Sequence, residues 1–201
     1  VSCGGHQTAD KPLDSNEIIR TAADVLRKGG VVLSPTDTVW SLLCDARNEE
    51  AVQRIHQLRN RETTKPLVVA VAEIGWMSEL TGKVPEIAWD IVEFAERPLT
   101  VVFSNGRGVA PGVLAADGSV AVRLVKDDFA KRLIGRLNRA VVMTSAERPH
   151  QFRPRTLEDV NPEIRNGVDY VVPIEQNDRN HYRPADILRI EANGEIKFIR
   201  K

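Results

Sequence analysis

Segments with apolar residues at helical spacing alternate with short, continuously apolar runs along most of this chain. The helical spacing predicts helices over 15–28, 49–58, 76–80, 85–95 and 127–137, and a short helical turn over 162–166. The apolar runs predict strands over 31–33, 67–71, 99–103, 119–124, 140–143 and 168–172, followed by a C-terminal hairpin about Asn193–Gly194. In the helix predicted from Pro85, the spacing places four side chains inward: Ile87, Ile91, Val92 and Ala95.

Strands and helices alternate without an internal repeat, which predicts an α/β fold built on a mixed sheet. No linker divides the chain, so we expect one domain over 15–201, preceded by a tail over 1–14. The tail, VSCGGHQTADKPLD, has no apolar core of the kind that a signal sequence carries.

The composition is that of an ordered globular protein, with 42% hydrophobic and 28% charged residues. The 28 basic residues equal the 28 acidic residues, so binding of polyanions has to come from a local patch. The apolar runs fall far short of the roughly 18 residues that span a bilayer, which predicts no membrane span. Cys3 and Cys44 indicate neither a disulfide framework nor a zinc site, and a cytoplasmic setting is the default expectation.

The stretch from Val31 to Asn48 joins a buried-looking strand to a second apolar run through a polar turn, Ser34-Pro35-Thr36-Asp37-Thr38. Small polar groups at the end of a rigid element are a common place for a binding site. The same residues also suit an ordinary turn, because Ser, Thr and Asp side chains hydrogen-bond to nearby backbone. The spacing matches no generic catalytic motif, so both interpretations stay open.

Basic residues gather at the predicted ends of helices and strands. The segment from Arg59 to Lys65 suits phosphate oxygens, although cations at a helix C-terminus are favoured without any ligand. Arg123 ends an apolar strand, where a charge needs an anionic partner. The loop from Arg148 to Arg155, which includes His150, is either a nucleic-acid contact or a mobile charged loop. The histidines and cysteines lack metal-ligand spacing, so no structural metal is predicted.

Several short motifs follow one another in order: PTDTVW, CDA, RNR, KPL, PLT, SVAVR and TSA. Their joint order and spacing, from about Asn16 to Lys201, resemble the YrdC-like family of threonylcarbamoyl-adenylate synthases. The resemblance implies a twisted open sheet with helices on its faces and a large, basic concave cavity. It also implies a nucleotidyltransferase that combines L-threonine, bicarbonate and ATP, with Mg²⁺, into threonylcarbamoyl-AMP and pyrophosphate. The product would supply the tRNA-modification machinery that acts on adenosine 37.

The resemblance also implies a role for each position that matches the family pattern. Threonine would be contacted by Thr38, Arg123 and Ser145, with Arg123 on its carboxylate. The nucleotide-binding positions would be Arg59, Arg61, Lys65, Ser119, Glu147 and Arg200. Arg59, Arg61 and Ser145 would take part directly in catalysis.

The chain departs from the family pattern at several positions. Ser41 stands where the family has a glycine, and Arg59 where it has a lysine. Glu147 replaces a neutral amide beside the nucleotide, where a negative charge is expected to repel phosphates by at least about 1 kcal/mol. Ala185-Asp186 replaces a Ser-Thr pair.

Three functions are therefore compatible with the sequence. The first is a synthase in which Arg148, Arg153 or Arg155 offsets the charge of Glu147. The second is a catalytically weakened relative that binds nucleotide or double-stranded RNA through the basic concavity. The third is a carbamoyl-transfer domain like that of hydrogenase maturation proteins. The missing zinc-finger and acylphosphatase modules count against this third function.

Overall fold

The computed structural model describes residues 14–60, 66–174 and 184–200, and within these ranges it contains six α-helices and nine strands. The helices are α1 (Ser15–Arg27), α2 (Glu49–Arg59), α3 (Met77–Leu80), α4 (Glu86–Glu93), α5 (Asp128–Leu137) and α6 (Pro162–Gly167). The strands are β1 (Val32–Ser34), β2 (Ser41–Asp45), β3 (Val68–Val71), β4 (Leu99–Phe103), β5 (Val120–Leu124), β6 (Val141–Ser145), β7 (Tyr170–Val171), β8 (Asp186–Ile190) and β9 (Ile196–Arg200).

Short polar side chains fix where the main helices begin and end. The carboxylate or amide oxygens of Asp14, Asn48 and Asp127 accept hydrogen bonds from backbone N–H groups in the first turns of α1, α2 and α5. Helices α2 and α5 end at Asn60 and Asn138, which adopt left-handed backbone conformations with φ of 47° and 56°. These caps explain why both helices stop where the apolar spacing stops.

All nine strands join one mixed sheet in the order β7-β1-β2-β6-β3-β5-β4-β8-β9. Strands β1, β2, β6 and β3 pair antiparallel in succession, whereas β3 pairs parallel with β5. Strand β4 lies antiparallel to β5 and parallel to β8, and β8 forms the C-terminal hairpin with β9. Among the described residues, β7 and β9 each pair with one strand, so the sheet is open, with these two strands at its edges.

Two apolar clusters cover the two faces of the sheet. Side chains from α2, α3, α4 and α6 pack on one face with alternate residues of the strands, such as Val69 and Val122. Helices α1 and α5 pack together on the other face, against residues such as Ala70 and Val141. Since side chains alternate between faces along a strand, Ala121 and Arg123 of β5 point away from the α2 side.

The predicted α/β fold with a mixed sheet is confirmed, and each predicted helix and strand is present within a few residues of its expected position. The predicted tail lies outside the described residues except for Asp14, which caps α1. The prediction that Ile87 points inward is wrong, because Ile87 is 44% exposed. Helix α4 begins only at Glu86 and buries Val92, as predicted, together with Ala88 in place of Ile87.

No helix within the described ranges is both long and apolar enough to cross a membrane.

Candidate active site

A cavity of about 640 Å³ opens over the middle of the sheet. Its floor includes alternate residues of two neighbouring strands, Thr100 and Val102 of β4 and Ala121 and Arg123 of β5. The ends of β2 and β6 and residues of the β8–β9 hairpin complete its walls. The cavity therefore collects polar groups from segments that lie far apart in the sequence.

The polar turn between β1 and β2 forms one part of the wall and is braced from within. The Thr36 hydroxyl donates to the carbonyl of Val39 at 2.7 Å and accepts from the backbone N–H of Thr38 at 3.3 Å. The Thr36 and Thr38 hydroxyls lie 3.1 Å apart, and Thr38 lines the cavity. The two interpretations of this stretch are thus compatible, since an internally bonded turn also presents a hydroxyl group to the cavity.

Arg123 is 6% exposed on the cavity floor, and the anionic partner that its position requires comes from within the chain. Its Nη2 donates to Asp37 Oδ1 at 2.5 Å. Its buried Nε has no hydrogen-bond partner among the described residues. A buried donor without a partner costs about 1–3 kcal/mol, so a ligand oxygen that reached Nε would remove this cost.

Arg59, at the end of α2, is largely committed to neighbouring protein atoms. Its Nη1 donates to Thr144 Oγ1 at 2.5 Å, its Nε donates to the backbone oxygen of Glu147 at 3.1 Å, and its Nη2 lies 3.5 Å from Glu147 Oε1. Although Arg59 lines the cavity, it is only 7% exposed. Arg59 therefore fixes the end of β6 and the following loop beside the cavity.

The Glu147 carboxylate is surrounded by donors. In addition to its contact with Arg59, Glu147 Oε1 lies 4.0 Å from Arg153 Nε. Glu147 Oε2 accepts a short hydrogen bond from the Ser145 hydroxyl. Of the arginines proposed to offset its charge, Arg153 is placed to do so, whereas Arg148 pairs with Glu163 at 2.5 Å. The negative charge of Glu147 is thus offset in part inside the cavity wall.

Arg200 and Ser119 occupy different surroundings. Arg200 lines the cavity, and its Nη2 donates to the carbonyl of Ala185 at 2.8 Å. Ser119 is buried but is not among the lining residues, and its hydroxyl donates to Asp117 Oδ1 at 2.6 Å. Hydrogen bonds from Ser119, followed by those from Arg189, hold the pKa of Asp117 at about 2. A role for Ser119 at the nucleotide stays a prediction.

The structure brings most of the predicted site residues to one cavity: Thr38, Arg59, Arg123, Ser145, Glu147 and Arg200. Arg61 and Lys65 lie outside the described residues, so their predicted contacts with the nucleotide stay predictions. Within residues 14–60, 66–174 and 184–200, no three His, Cys, Asp or Glu side chains gather closely enough to hold a metal ion.

Two polar residues of this site were not among the predicted ligands. Asp37 holds Arg123, and Thr144 holds Arg59. Asp37 lies inside the PTDTVW motif, so its position next to Thr38 was a usable signal. Thr144 likewise lies inside the TSA motif next to Ser145, but its contact with a helix end 85 residues away could not be read from the sequence.

Comparison with known proteins relates both the sequence and the fold to one group. The family model Sua5_yciO_yrdC, described as "Telomere recombination", matches residues 24–201. The threonylcarbamoyl-AMP synthase of Hahella chejuensis is 33% identical over 156 residues, which are 77% of this chain and 85% of that protein. The threonylcarbamoyl-AMP synthase of Halorhodospira halophila is also 33% identical, over 77% of this chain and 82% of its own length.

Two solved structures share the architecture described above. The structure of P. abyssi Sua5 complexed with L-threonine has a TM-score of 0.79 and 25% identity over 89% of this chain. The chain spans about half of that protein, 52% of its length. E. coli YciO has a TM-score of 0.76 over 94% of this chain and 90% of its own, at 18% identity, and so shows the fold alone.

Proposed function

The chain belongs to the Sua5/YciO/YrdC family, and we propose that it is a threonylcarbamoyl-AMP synthase. The proposed reaction combines L-threonine, bicarbonate and ATP into threonylcarbamoyl-AMP and pyrophosphate. The names of its relatives support this assignment. The observation that carries it is a buried arginine with a spare donor, Arg123, on the floor of a cavity in this family's fold.

Threonine is proposed to bind with its carboxylate on Arg123. The Nε donor that lacks a partner gives that carboxylate a place beside the guanidinium, while Asp37 holds the other side of the group. The Thr38 and Ser145 hydroxyls, which line the same cavity, are suited to the amine and hydroxyl groups of the substrate. Binding of threonine to P. abyssi Sua5 supports this choice of amino acid.

The chemistry needs positioning rather than a nucleophile from the protein. Bicarbonate loses hydroxide to give carbon dioxide, the neutral threonine amine attacks its carbon, and the proton that the amine releases combines with the hydroxide to form water, which leaves a carbamate. An oxygen of that carbamate then attacks the α-phosphorus of ATP, the bond to the β-phosphate breaks, and pyrophosphate leaves with its electron pair. The residues of this chain hold the two substrates in line and keep water away from the labile carbamate.

The triphosphate is proposed to lie against the arginines of the cavity wall. Arg59, Arg153 and Arg200 all line the cavity, and guanidinium groups bind phosphate oxygens in pairs. Charge neutralisation of this kind and positioning of the reacting groups are the main contributions of a protein to phosphoryl transfer. Because Arg59 Nη2 lies 3.5 Å from Glu147 Oε1, a phosphate that reaches Arg59 has to compete with this carboxylate.

Magnesium is proposed to arrive with ATP as part of the substrate. Glu147 fits such an ion, since its carboxylate lines the cavity and Mg²⁺ prefers oxygen ligands. When bound, the ion neutralises charge on the departing pyrophosphate. We further propose a cytoplasmic setting, in which the product supplies the tRNA-modification machinery acting on adenosine 37.

The test is mass spectrometry of the protein after incubation with ATP, magnesium, L-threonine and ¹³C-labelled bicarbonate. We expect threonylcarbamoyl-AMP carrying the label, together with pyrophosphate. Omission of threonine is the control, because hydrolysis of ATP alone also releases phosphate products. A folded sample that binds threonine and ATP without forming the labelled product would refute the proposal.

Double-stranded RNA stays a second candidate ligand, because the loop from Arg148 to Arg155 is rich in arginine and borders the cavity through Arg153. Electrostatic binding of RNA predicts an affinity that falls steeply as the salt concentration rises. An affinity independent of salt, or no binding at all, would exclude this candidate.

A further inference from the structure

Glu147 stands out electrostatically in the proposed nucleotide cavity. Of the described residues that line the cavity, it alone is acidic, while Arg59, Arg123, Arg153 and Arg200 are basic. Its side chain is 17% exposed, so the carboxylate is accessible to a ligand but poorly screened by water. A charge in this position has to affect any polyphosphate that enters.

The arginines contact the Glu147 carboxylate less closely than Arg123 contacts Asp37. Its Oε1 lies 3.5 Å from Arg59 and 4.0 Å from Arg153, whereas Arg123 contacts Asp37 at 2.5 Å. Its closest bond is the short one that it accepts from the Ser145 hydroxyl. A hydroxyl group can turn to another acceptor, so the carboxylate can leave these partners when a stronger one arrives.

We propose that Glu147 makes nucleotide binding in this cavity depend on a divalent cation. This inference rests on the proposed function, because it assumes that ATP is the ligand. Without metal, the carboxylate faces a triphosphate of like charge and repels it. With Mg²⁺ bound to the phosphates, the same carboxylate becomes an oxygen ligand that faces the ion. Mg²⁺ is commonly bound through one or two carboxylates together with substrate phosphates, and it keeps several of its waters.

The sign of the effect separates this role from a merely unfavourable charge. If Glu147 only repels phosphates, its neutralisation improves binding of ATP with and without metal. If it contacts the ion, its neutralisation improves binding of metal-free ATP but weakens binding of MgATP. A neutral side chain neither repels the phosphates as strongly nor binds the ion as well, so the preference for the metal complex should nearly vanish.

The experiment is calorimetric titration of the full chain with ATP, in magnesium and in EDTA. For the wild-type chain we expect at least tenfold tighter binding of MgATP. For Glu147→Gln we expect metal-free ATP to bind at least tenfold more tightly than it binds the wild type, and MgATP to bind more weakly. Electron paramagnetic resonance with Mn²⁺ in place of Mg²⁺ should show an altered spectrum of bound MnATP in this variant.

Glu163→Gln is the matched control, because Glu163 also pairs with an arginine of the same loop but does not line the cavity. It should leave both affinities unchanged. Glu147→Asp, which keeps the charge, should still repel metal-free ATP. Thermal unfolding of each variant checks that it is folded.

Tighter binding of both forms of ATP to Glu147→Gln, or no change in either, would overturn the inference. If the wild-type chain forms labelled threonylcarbamoyl-AMP in these cases, the proposed function stands and only the role of Glu147 fails. If the folded wild-type chain binds ATP in neither condition, both proposals fail.

Discussion

Replacing Arg123 by alanine tests the threonine site most directly. The substitution removes the guanidinium group from the cavity floor, where its Nε lacks a partner and its Nη2 contacts Asp37 at 2.5 Å. The short alanine side chain cannot replace either contact. If the carboxylate of threonine binds here, the variant loses its main ionic partner while the rest of the cavity stays in place.

The burial of Arg123 sets the size of the effect. Loss of one partner of a buried, hydrogen-bonded charge pair costs about 2–5 kcal/mol of binding free energy, much of it because the other charge stays buried. At 1.4 kcal/mol for each factor of ten, the dissociation constant of threonine should rise about 30-fold to 4,000-fold. Asp37, which also loses its partner, has a side chain that is 26% exposed, so water can solvate it and the fold should survive.

Isothermal titration calorimetry with L-threonine measures the change, and Arg189→Ala is the matched control. Arg189 is also partly buried and pairs with two carboxylates, Asp117 and Glu191, yet it does not line the cavity. We expect the control to bind threonine like the wild-type chain. An Arg123→Ala variant that is folded and keeps wild-type affinity for threonine would show that the carboxylate binds elsewhere.

Three further predictions concern residues away from the cavity. Burial, and to a lesser degree Asp45, raises the pKa of the Cys44 thiol, so the thiol should react poorly in the folded chain. Mass spectrometry should find Cys44 alkylated by iodoacetamide only in denatured protein, and alkylation of the native chain would contradict this. The folded-state pKa of Asp117 is lowered to about 2, so its contribution to stability is present above about pH 4 and lost as pH falls through 2. Urea titrations should therefore show that Asp117→Asn lowers the free energy of unfolding at neutral pH but not in acid. Asn60 has a φ of 47°, so Asn60→Val should lower the free energy of unfolding by about 1–2 kcal/mol, whereas Asn60→Gly should be tolerated. Equal stability of the two variants would argue against the left-handed cap.

Most of the fold could be predicted because it depends on local patterns. Helices α1 and α5 combine a clear apolar stripe with a capping Asp at the N-terminus, and both begin within a residue or two of the predicted position. Helix α4 shows the limit of this reasoning. Its eight residues make too few turns for spacing to fix the buried side, so Ile87 was assigned inward although Ala88 and Val92 face the core.

The site was predictable as a set of residues but not as a set of contacts. The sequence indicated that Arg123 needs an anion, but it could not indicate that Asp37, 86 residues away, already contacts it. The same holds for Glu147, whose charge was expected to be offset by one of three nearby arginines. Only the paths of the loop and of β6 place Arg153 and Ser145 around this carboxylate. The Arg123–Asp37 and Arg59–Glu147 pairs depend on how strands and helices are arranged around the sheet, which no local pattern encodes.

The C-terminal hairpin gives the cavity a wall that can open separately. Among the described residues, β8 and β9 pair with the rest of the sheet only through β4, and side-chain contacts such as that of Arg189 with Asp117 reinforce this attachment. Residues such as Ile187 and Ile199 form part of the cavity lining. Edge elements of this kind undock at a lower free energy than central strands. If the hairpin undocks while β3, β5 and β6 stay folded, the site loses one wall, so a ligand held between the hairpin and β5 stabilises only the docked state. Amide hydrogen exchange in β9 therefore becomes a direct reporter of ligand occupancy, and the undocking rate sets an upper limit on product release by this route.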